Sequence, residues 1–485
     1  MQFINGFWKE SGAGRFTSLN PSTQQPLWEG YSAGKPEVAE AVAAARAAFA
    51  GWSQTTYPER LAIMQKFKEL VADAQAELIE LISQETGKAP WDAASEVAAV
   101  TAKLTYASEA YADRTGTKLR TTQVGTAVVR HRPHGVMTVY GPYNFPAHLP
   151  NGHIIPALLA GNTVVFKPSE QTPMVGEWMV KQWDKAGLPA GVLNLVQGEK
   201  ETGVALADAA IDGVLFTGST ATGIALHKQF AGRPEIILAL EMGGNNPLII
   251  GDCQDVDGVI HEALVSAFVG SGQRCTCARR VIVIENAQSG ALIERLVRAA
   301  SQLRVASPDS DPEPFMGPVI SLKECRRLLE AQEDLQRRGG KLLLEMRQYD
   351  AALPFVTPSI IDMTVVDDVP DEEYFGPLMQ LCRVGSEQEA IARANSTKYG
   401  LSASVFCDDE ALFQRLSGKI HAGLINWNRQ TTGASGAGPF GGVGISGNHR
   451  PAGYYSADYC AYPVASVEVD QLKRPEKLPP GMVID

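Results

Sequence analysis

Apolar residues recur along this chain first at a helical spacing and then in short unbroken runs. In residues 35–52, Val38, Val42, Ala45 and Phe49 form one stripe, which predicts a surface helix. Pro58 stands where a first-turn proline is tolerated. Leu61, Ile63, Met64, Phe67, Leu70, Val71, Leu78 and Ile79 then hold a helical period up to Gly87. A further helix is expected over about 90–111. Before these helices, residues 3–26 read as short strands and turns. After them, residues 117–132 turn β-rich, with Val124, Val128 and Val129, and mark a boundary or an arm leaving the domain.

From 136 onward the pattern alternates. Strands are expected at 136–140, 163–166, 192–196, 213–217 and 236–240, with helices between them, including 149–160 and one ending at Lys185. Short apolar strands separated by helices predict a mostly parallel sheet covered on both faces, with ligands beyond the carboxyl ends of its strands. Asn144, Lys167 and Gly218 each follow such a strand, so all three are candidates for one crevice. Alternation resumes after 241–247, with helices at 255–268, 287–303, 321–337 and 409–420 and strands at 280–284, 341–344 and 402–406. Residues 308–316 read as a loop. Residues 431–447 are mostly Gly, Ala and Ser, a mobile or tightly turned surface segment. The β-like tail at 461–469, paired with 120–132, predicts a two-stranded flap of the kind a partner subunit covers.

Composition narrows the class. The 485 residues suffice for two or three domains, and 45% hydrophobic with 20% charged residues suits an α/β protein. Net charge is -11 with no Lys/Arg block, which argues against nucleic acid. No apolar run approaches a membrane span, and no secretory signal opens the chain, so the cytoplasm is the expected compartment. Seven cysteines are sparse for this length, and none has partners at metal-binding spacing, so neither a disulfide scaffold nor a metal site is expected.

Several stretches carry candidate chemistry, each with a plainer alternative. In Gly270-Ser271-Gly272-Gln273-Arg274-Cys275-Thr276-Cys277, a cysteine follows tight glycine bends. It is either a small buried side chain or a thiol whose pKa nearby main-chain N–H groups lower. Gly218-Ser219-Thr220-Ala221-Thr222-Gly223 sits where a strand becomes a helix. It is either a phosphate-receiving turn or a tight turn only, and Thr220 replaces the middle Gly of the usual dinucleotide fingerprint. Lys167 and Glu170 are a surface pair or ligands for sugar hydroxyls. Glu241, beside two glycines, is a candidate buried base with a raised pKa. Residues 370–377 read by themselves as an acidic loop.

Taken in order, Pro142-Tyr143-Asn144-Phe145-Pro146, Lys167-Pro168-Ser169-Glu170, Phe216-Thr217-Gly218-Ser219, Glu241-Met242-Gly243-Gly244, Gly272-Gln273-Arg274-Cys275, Glu373-Tyr374-Phe375-Gly376-Pro377 and Pro439-Phe440-Gly441-Gly442 span nearly the whole chain. This series resembles the aldehyde dehydrogenase superfamily. The resemblance implies a Rossmann-like nucleotide-binding domain (1–117 and 134–242), an α/β catalytic domain (243–454) and an oligomerisation flap with tail (118–133 and 455–485). It implies Cys275 as nucleophile, Glu241 as general base, and Asn144 with the Cys275 N–H as oxyanion donors. Lys167 and Glu170 would hold the adenosine ribose. Gly218, Ser219, Thr220 and Gly223 would lie by the pyrophosphate, and Glu373 and Phe375 by the nicotinamide. Glu170 disfavours a 2′-phosphate by charge, so NAD rather than NADP is the implied cofactor.

The run 271–280, the ending Gly447-Asn448-His449-Arg450-Pro451-Ala452-Gly453-Tyr454-Tyr455, and Tyr143 where Trp is commoner resemble one branch of that family. That branch oxidises N-succinylglutamate 5-semialdehyde in arginine breakdown by succinylation. Such a substrate carries two carboxylates, which need N–H-rich or cationic partners. Arg274, Arg279, Arg429, Gly433 and Ser435 are the candidates, and for each Arg a structural ion pair is the plainer and preferred reading. The run Pro439-Phe440-Gly441-Gly442-Val443-Gly444-Ile445-Ser446-Gly447 lacks the Lys many relatives carry there. Alternatives are a dehydrogenase of glutamate 5-semialdehyde or succinate semialdehyde, a phosphorylating or CoA-acylating relative, and a non-catalytic structural member. A homodimer, or a dimer of dimers, is the expected assembly.

Overall fold

Strands that alternate with helices are apolar on both faces because both faces are covered, and the first sheet is built this way. The structure, a computed structural model, describes residues 1–484. Five parallel strands lie in the order Ile237–Glu241, Gly213–Thr217, Val136–Tyr140, Thr163–Lys167 and Leu193–Leu195. Gln2–Ile4 and Phe7–Lys9 extend the sheet antiparallel at its edge. Helices α1 (Lys35–Trp52), α2 (Tyr57–Asp73), α3 (Gln75–Thr86), α4 (Pro90–Arg114), α5 (His148–Ala160), α6 (Pro173–Lys185), α7 (Lys200–Ala207) and α8 (Thr220–Gln229) accompany it. Successive strand residues face opposite layers. Val164 and Phe166 join the core of α2 to α6, whereas Val165 joins that of α1, α7 and α8.

The single helical run expected up to Gly87 is two helices. The backbone breaks at Ala74 (φ −106, ψ 23), which ends α2 and caps α3. The apolar period survives because Phe67, Val71, Leu78 and Ile82 enter the same core. Periodicity reports what is buried and is blind to a one-residue bend.

The second sheet runs Lys341–Leu344, Ser359–Asp362, Leu378–Val384, Ala278–Ile284, Asn246–Ile250, Ser402–Phe406, Leu424–Trp427. Only the first pair is antiparallel. Four of these strands escape the sequence pattern. Asn246–Ile250 contains Pro247, Leu378–Val384 carries Gln380 and Arg383, and the other two have only four residues each. Helix α9 (Val256–Phe268) packs on this sheet and leads into the cysteine loop.

The flap has three strands, not the two expected. Ala461–Glu468 pairs with Gly125–Pro133, and Thr117–Thr122 folds back on the latter. The third strand lacks apolar alternation and is exposed throughout, so only its tertiary neighbour defines it. Gly125 at the turn has φ +134, and a Cβ there would stand 2.6 Å from the Glu468 carbonyl oxygen. Residues 431–447 are tightly turned: Thr431 and Ser446 are fully buried, and Met242 donates its N–H to the Ser446 carbonyl at 2.9 Å.

Phe67 of α2 stacks on Trp183 of α6, ring centroids 3.7 Å apart at 4°. Phe67→Ala removes that stack and leaves a cavity, and the expected loss is about 3–5 kcal/mol, read as a lowered denaturation midpoint by circular dichroism. A midpoint equal to wild type would refute the placement of this ring.

Candidate active site

Three consecutive left-handed residues shape the loop that carries Cys275: Gly270 (φ 61), Ser271 (φ 57) and Gly272 (φ 68). Ser271 is the strained member, and its hydroxyl donates to the Gly317 carbonyl at 2.8 Å. A Cβ on Gly272 would stand 2.2 Å from the Gly376 carbonyl oxygen, so no other residue fits. Several carbonyls in and beside this bend are claimed by side chains. Arg279 donates to Gly272 (2.6 Å), Gly376 (3.1 Å) and Arg274 (2.9 Å). Asn246 donates to the carbonyls of Cys275 (2.7 Å) and Cys277 (2.8 Å), and Asn144 to that of Gln273 (2.9 Å). Asn144 reaches the loop from the turn after strand Val136–Tyr140, and its amide keeps a second hydrogen.

Glu241 ends strand Ile237–Glu241, abreast of Thr217. Its Oε1 accepts from the Ala452 N–H at 3.3 Å, while Oε2 is buried with no partner. Burial holds this carboxyl well above the usual carboxylate range, as expected of a base that keeps a proton near neutrality. The expectation for the cysteine is reversed. Burial, with the Glu373 and Glu241 carboxylates adding, pushes the Cys275 thiol up to about 12. Among the described residues no main-chain N–H is bonded to the thiol to offset its burial. Cys277 is buried with its thiol on the Val269 carbonyl, and all seven cysteines are free.

The nucleotide-side candidates gather at the carboxyl edge of the first sheet. Ser219 caps α8, its Oγ accepting from the Thr222 N–H at 3.3 Å. Thr220 Oγ1 is buried without a partner at that same helix start. Gly218 and Gly223 permit close packing, since a Cβ would strike the Phe216 ring at 2.6 Å or Met242 Sδ at 2.3 Å. Lys167 is buried, bonded to the Pro168 carbonyl at 3.1 Å and 3.8 Å from Glu170. Burial lowers its pKa while Glu170 and Glu199 oppose that. Glu373 accepts from the Gly244 N–H at 3.0 Å, and Gly243 makes room for it, since a Cβ would lie 1.8 Å from Oε2. Phe375 meets Tyr143 edge-on at 6.1 Å, with the Arg279 guanidinium 5.4 Å from its ring.

The substrate candidates separate. Arg274, next to Cys275, forms an ion pair with buried Asp92 of α4. Arg279 is fully buried and serves the loop carbonyls. Arg429 is 69% exposed and 3.6 Å from Glu262. Gly433 donates its N–H to the Gln430 carbonyl, and Ser435 Oγ accepts from the Ala437 N–H. No metal-binding cluster occurs among the described residues.

Sequence reasoning missed what α4 contributes. Lys88, in the turn before it, and Glu96 form a buried ion pair at 2.7 Å. Glu96 also accepts from the N–H groups of Ala147 (2.9 Å) and His148 (3.1 Å), capping the start of α5. The cations of Lys88 and Arg274 lie 3.7 and 5.1 Å from the ring of Phe145, which follows Asn144. The available signal was charge on a helix face whose other members, Ala93, Val97, Val100 and Leu104, are apolar.

A model of the aldehyde dehydrogenase family matches residues 8–463. N-succinylglutamate 5-semialdehyde dehydrogenase of Burkholderia mallei (strain SAVP1) is 54% identical over 481 residues, which is 99% of this chain and 99% of that protein. PnpE from Pseudomonas sp. WBC-3, solved in complex with nicotinamide adenine dinucleotide, has a TM-score of 0.90 at 30% identity over 98% of both chains. A 1-pyrroline-5-carboxylate dehydrogenase from Thermus with bound NAD has a TM-score of 0.90 at 28% identity, over 96% of this chain and 92% of that one.

A thiol near 12 is ionised to about one part in ten thousand at pH 8, so alkylation of the free protein by iodoacetamide at Cys275 rises about tenfold per pH unit from 7 to 10. Glu373→Gln removes a neighbouring anion, lowers the thiol pKa and speeds alkylation at fixed pH. Peptide mass spectrometry reads both, and a rate independent of pH over that range is the contrary result.

Proposed function

The chain belongs to the aldehyde dehydrogenase family, and from that premise we propose that it oxidises N-succinylglutamate 5-semialdehyde to N-succinylglutamate with NAD, in arginine breakdown by succinylation. The observation that carries this reading is full-length likeness at 54% identity to relatives of that name. The convergence of Cys275, Glu241 and Asn144 supports it.

NAD fits the residues present. The Thr220 and Ala221 N–H groups at the start of α8 have no intrahelical partners and suit a pyrophosphate, beside the buried, unpartnered Thr220 Oγ1. Lys167 and Glu170 suit ribose hydroxyls, with Glu170 opposing a 2′-phosphate. Glu373 and Phe375 flank the nicotinamide end.

In this mechanism Cys275 first gives up its proton to solvent, and the thiolate attacks the aldehyde carbon. The free hydrogen of the Asn144 amide and the Cys275 N–H hold the oxyanion. Bound NAD supplies the hydride acceptor that leaves a thioester on Cys275. Glu241 then takes a proton from water, which attacks the thioester carbon and releases the acid and the thiol. A carboxyl with a raised pKa is a strong enough base for this and returns the proton to Cys275.

The assembly we propose is a homodimer or a dimer of dimers, in the cytoplasm, with a nucleotide domain (1–117 and 134–242), a catalytic domain (243–454) and a flap with tail (118–133 and 455–485). Leu119, Val124, Val467 and Val469 on and beside the flap are 61–72% exposed, an apolar surface for a second copy to cover.

NADH formation with purified protein tests the substrate. The expected kcat/KM for N-succinylglutamate 5-semialdehyde exceeds that for glutamate 5-semialdehyde and succinate semialdehyde by about tenfold or more, and Cys275→Ala abolishes turnover. Equal turnover of glutamate 5-semialdehyde would overturn the substrate. Glu241→Gln is expected to give one burst of NADH per site followed by slow turnover, because the thioester forms but is not hydrolysed. A steady rate equal to wild type would remove Glu241 from the base role.

A further inference from the structure

Around the flank of α4 that meets α5 the structure gathers more cations than it neutralises. Lys88 is matched by Glu96 and Arg274 by Asp92. Lys103, two turns beyond Glu96, is only 9% exposed and has neither a hydrogen bond nor an ion pair among the described residues. Its neighbours offer it no anion. His148 and His153 of α5 both lie within its field, and burial together with that field holds both below the usual histidine range. His153 is bonded to the hydroxyls of Tyr459 (2.8 Å) and Thr217 (3.1 Å), whereas His148 Nδ1 is buried with no partner.

An isolated buried ammonium is costly unless something compensates it. Opposite Lys103 stands Gly152, where a Cβ would fit at ordinary contact distance, 3.6 Å from both Cε and Nζ, so the backbone of α5 leaves room for a small group beside the ammonium. One turn on, Tyr106 packs against Gly436, where a Cβ would lie 2.5 Å from the ring, so the 431–438 loop closes over the same flank of α4. The site also connects to the nucleophile. His148 meets the Phe145 ring edge-on at 6.2 Å, the Arg274 guanidinium lies 5.1 Å from the same ring, and Arg274 adjoins Cys275. Burial alone lowers the Lys103 pKa, to about 8, which leaves it mostly protonated at neutral pH.

We propose that Lys103 anchors a carboxylate of the acidic semialdehyde, its ammonium at Gly152 supplying the charge and His148 Nδ1 lying alongside as a second polar contact. This rests on the substrate class proposed above and names the group that selects it. An ammonium among neutral imidazoles accepts a carboxylate and gives a neutral aldehyde no comparable advantage.

The test compares wild type, Lys103→Met and Lys103→Arg on N-succinylglutamate 5-semialdehyde and on hexanal, with melting temperature as the folding control. In folded Lys103→Met, the ratio of kcat/KM for the acidic substrate to that for hexanal is expected to fall about tenfold to a hundredfold, through KM of the acidic substrate, with Lys103→Arg recovering part of it. An unchanged ratio, or a parallel loss on both aldehydes, overturns the anchor. If Lys103→Met does not fold, the ratio measured in Lys103→Arg and in Gly152→Leu, which covers the ammonium, decides by the same criterion. Wild-type turnover of the succinylated substrate judges the proposed function separately. Should wild type prefer another acidic semialdehyde, the ratio is taken on that one.

Discussion

The site depends on how the carbonyls of one strained loop are satisfied. Three left-handed residues in a row turn the chain before Cys275, and such a bend leaves carbonyls pointing inward with no helix or strand to receive them. Arg279 meets this need from complete burial, with three charge-assisted bonds to the carbonyls of Gly272, Gly376 and Arg274. Asn246 and Asn144 hold two more points along the loop. The last of these matters beyond stability, because Asn144 comes from the first sheet and Cys275 from the second. One amide ties the two halves of the site together at 2.9 Å.

Charge is then divided by side. Burial, with Glu373 and Glu241 adding, raises the Cys275 pKa, so the thiol is the favoured form at rest. On the α4 side lie Lys88, Arg274 and Lys103, matched by only Asp92 and Glu96.

The glycines around the site serve clearance more than flexibility. Gly243 admits the Glu373 carboxylate, and Gly152 faces the Lys103 ammonium without a side chain. Gly218 and Gly223 let α8 seat against Phe216 and Met242. Each exchanges a side chain for the approach of a functional group.

The sequence by itself determined the parallel first sheet, because strands buried on both faces must read as short apolar runs, and it determined the motif residues, because their order along the chain is distinctive. It also placed Glu241 beside glycines at a strand end, where burial raised its pKa as expected. Only the tertiary structure decided the role of Arg279, since a guanidinium written next to a catalytic loop looks the same whether it faces a substrate or the loop's own carbonyls. The third flap strand, the break at Ala74 and the strand containing Pro247 belong to the same class, for they are set by neighbours distant in sequence. The direction of the Cys275 shift does too, because its largest cause is burial, which only the folded surroundings of the loop create, with Glu373 adding to it.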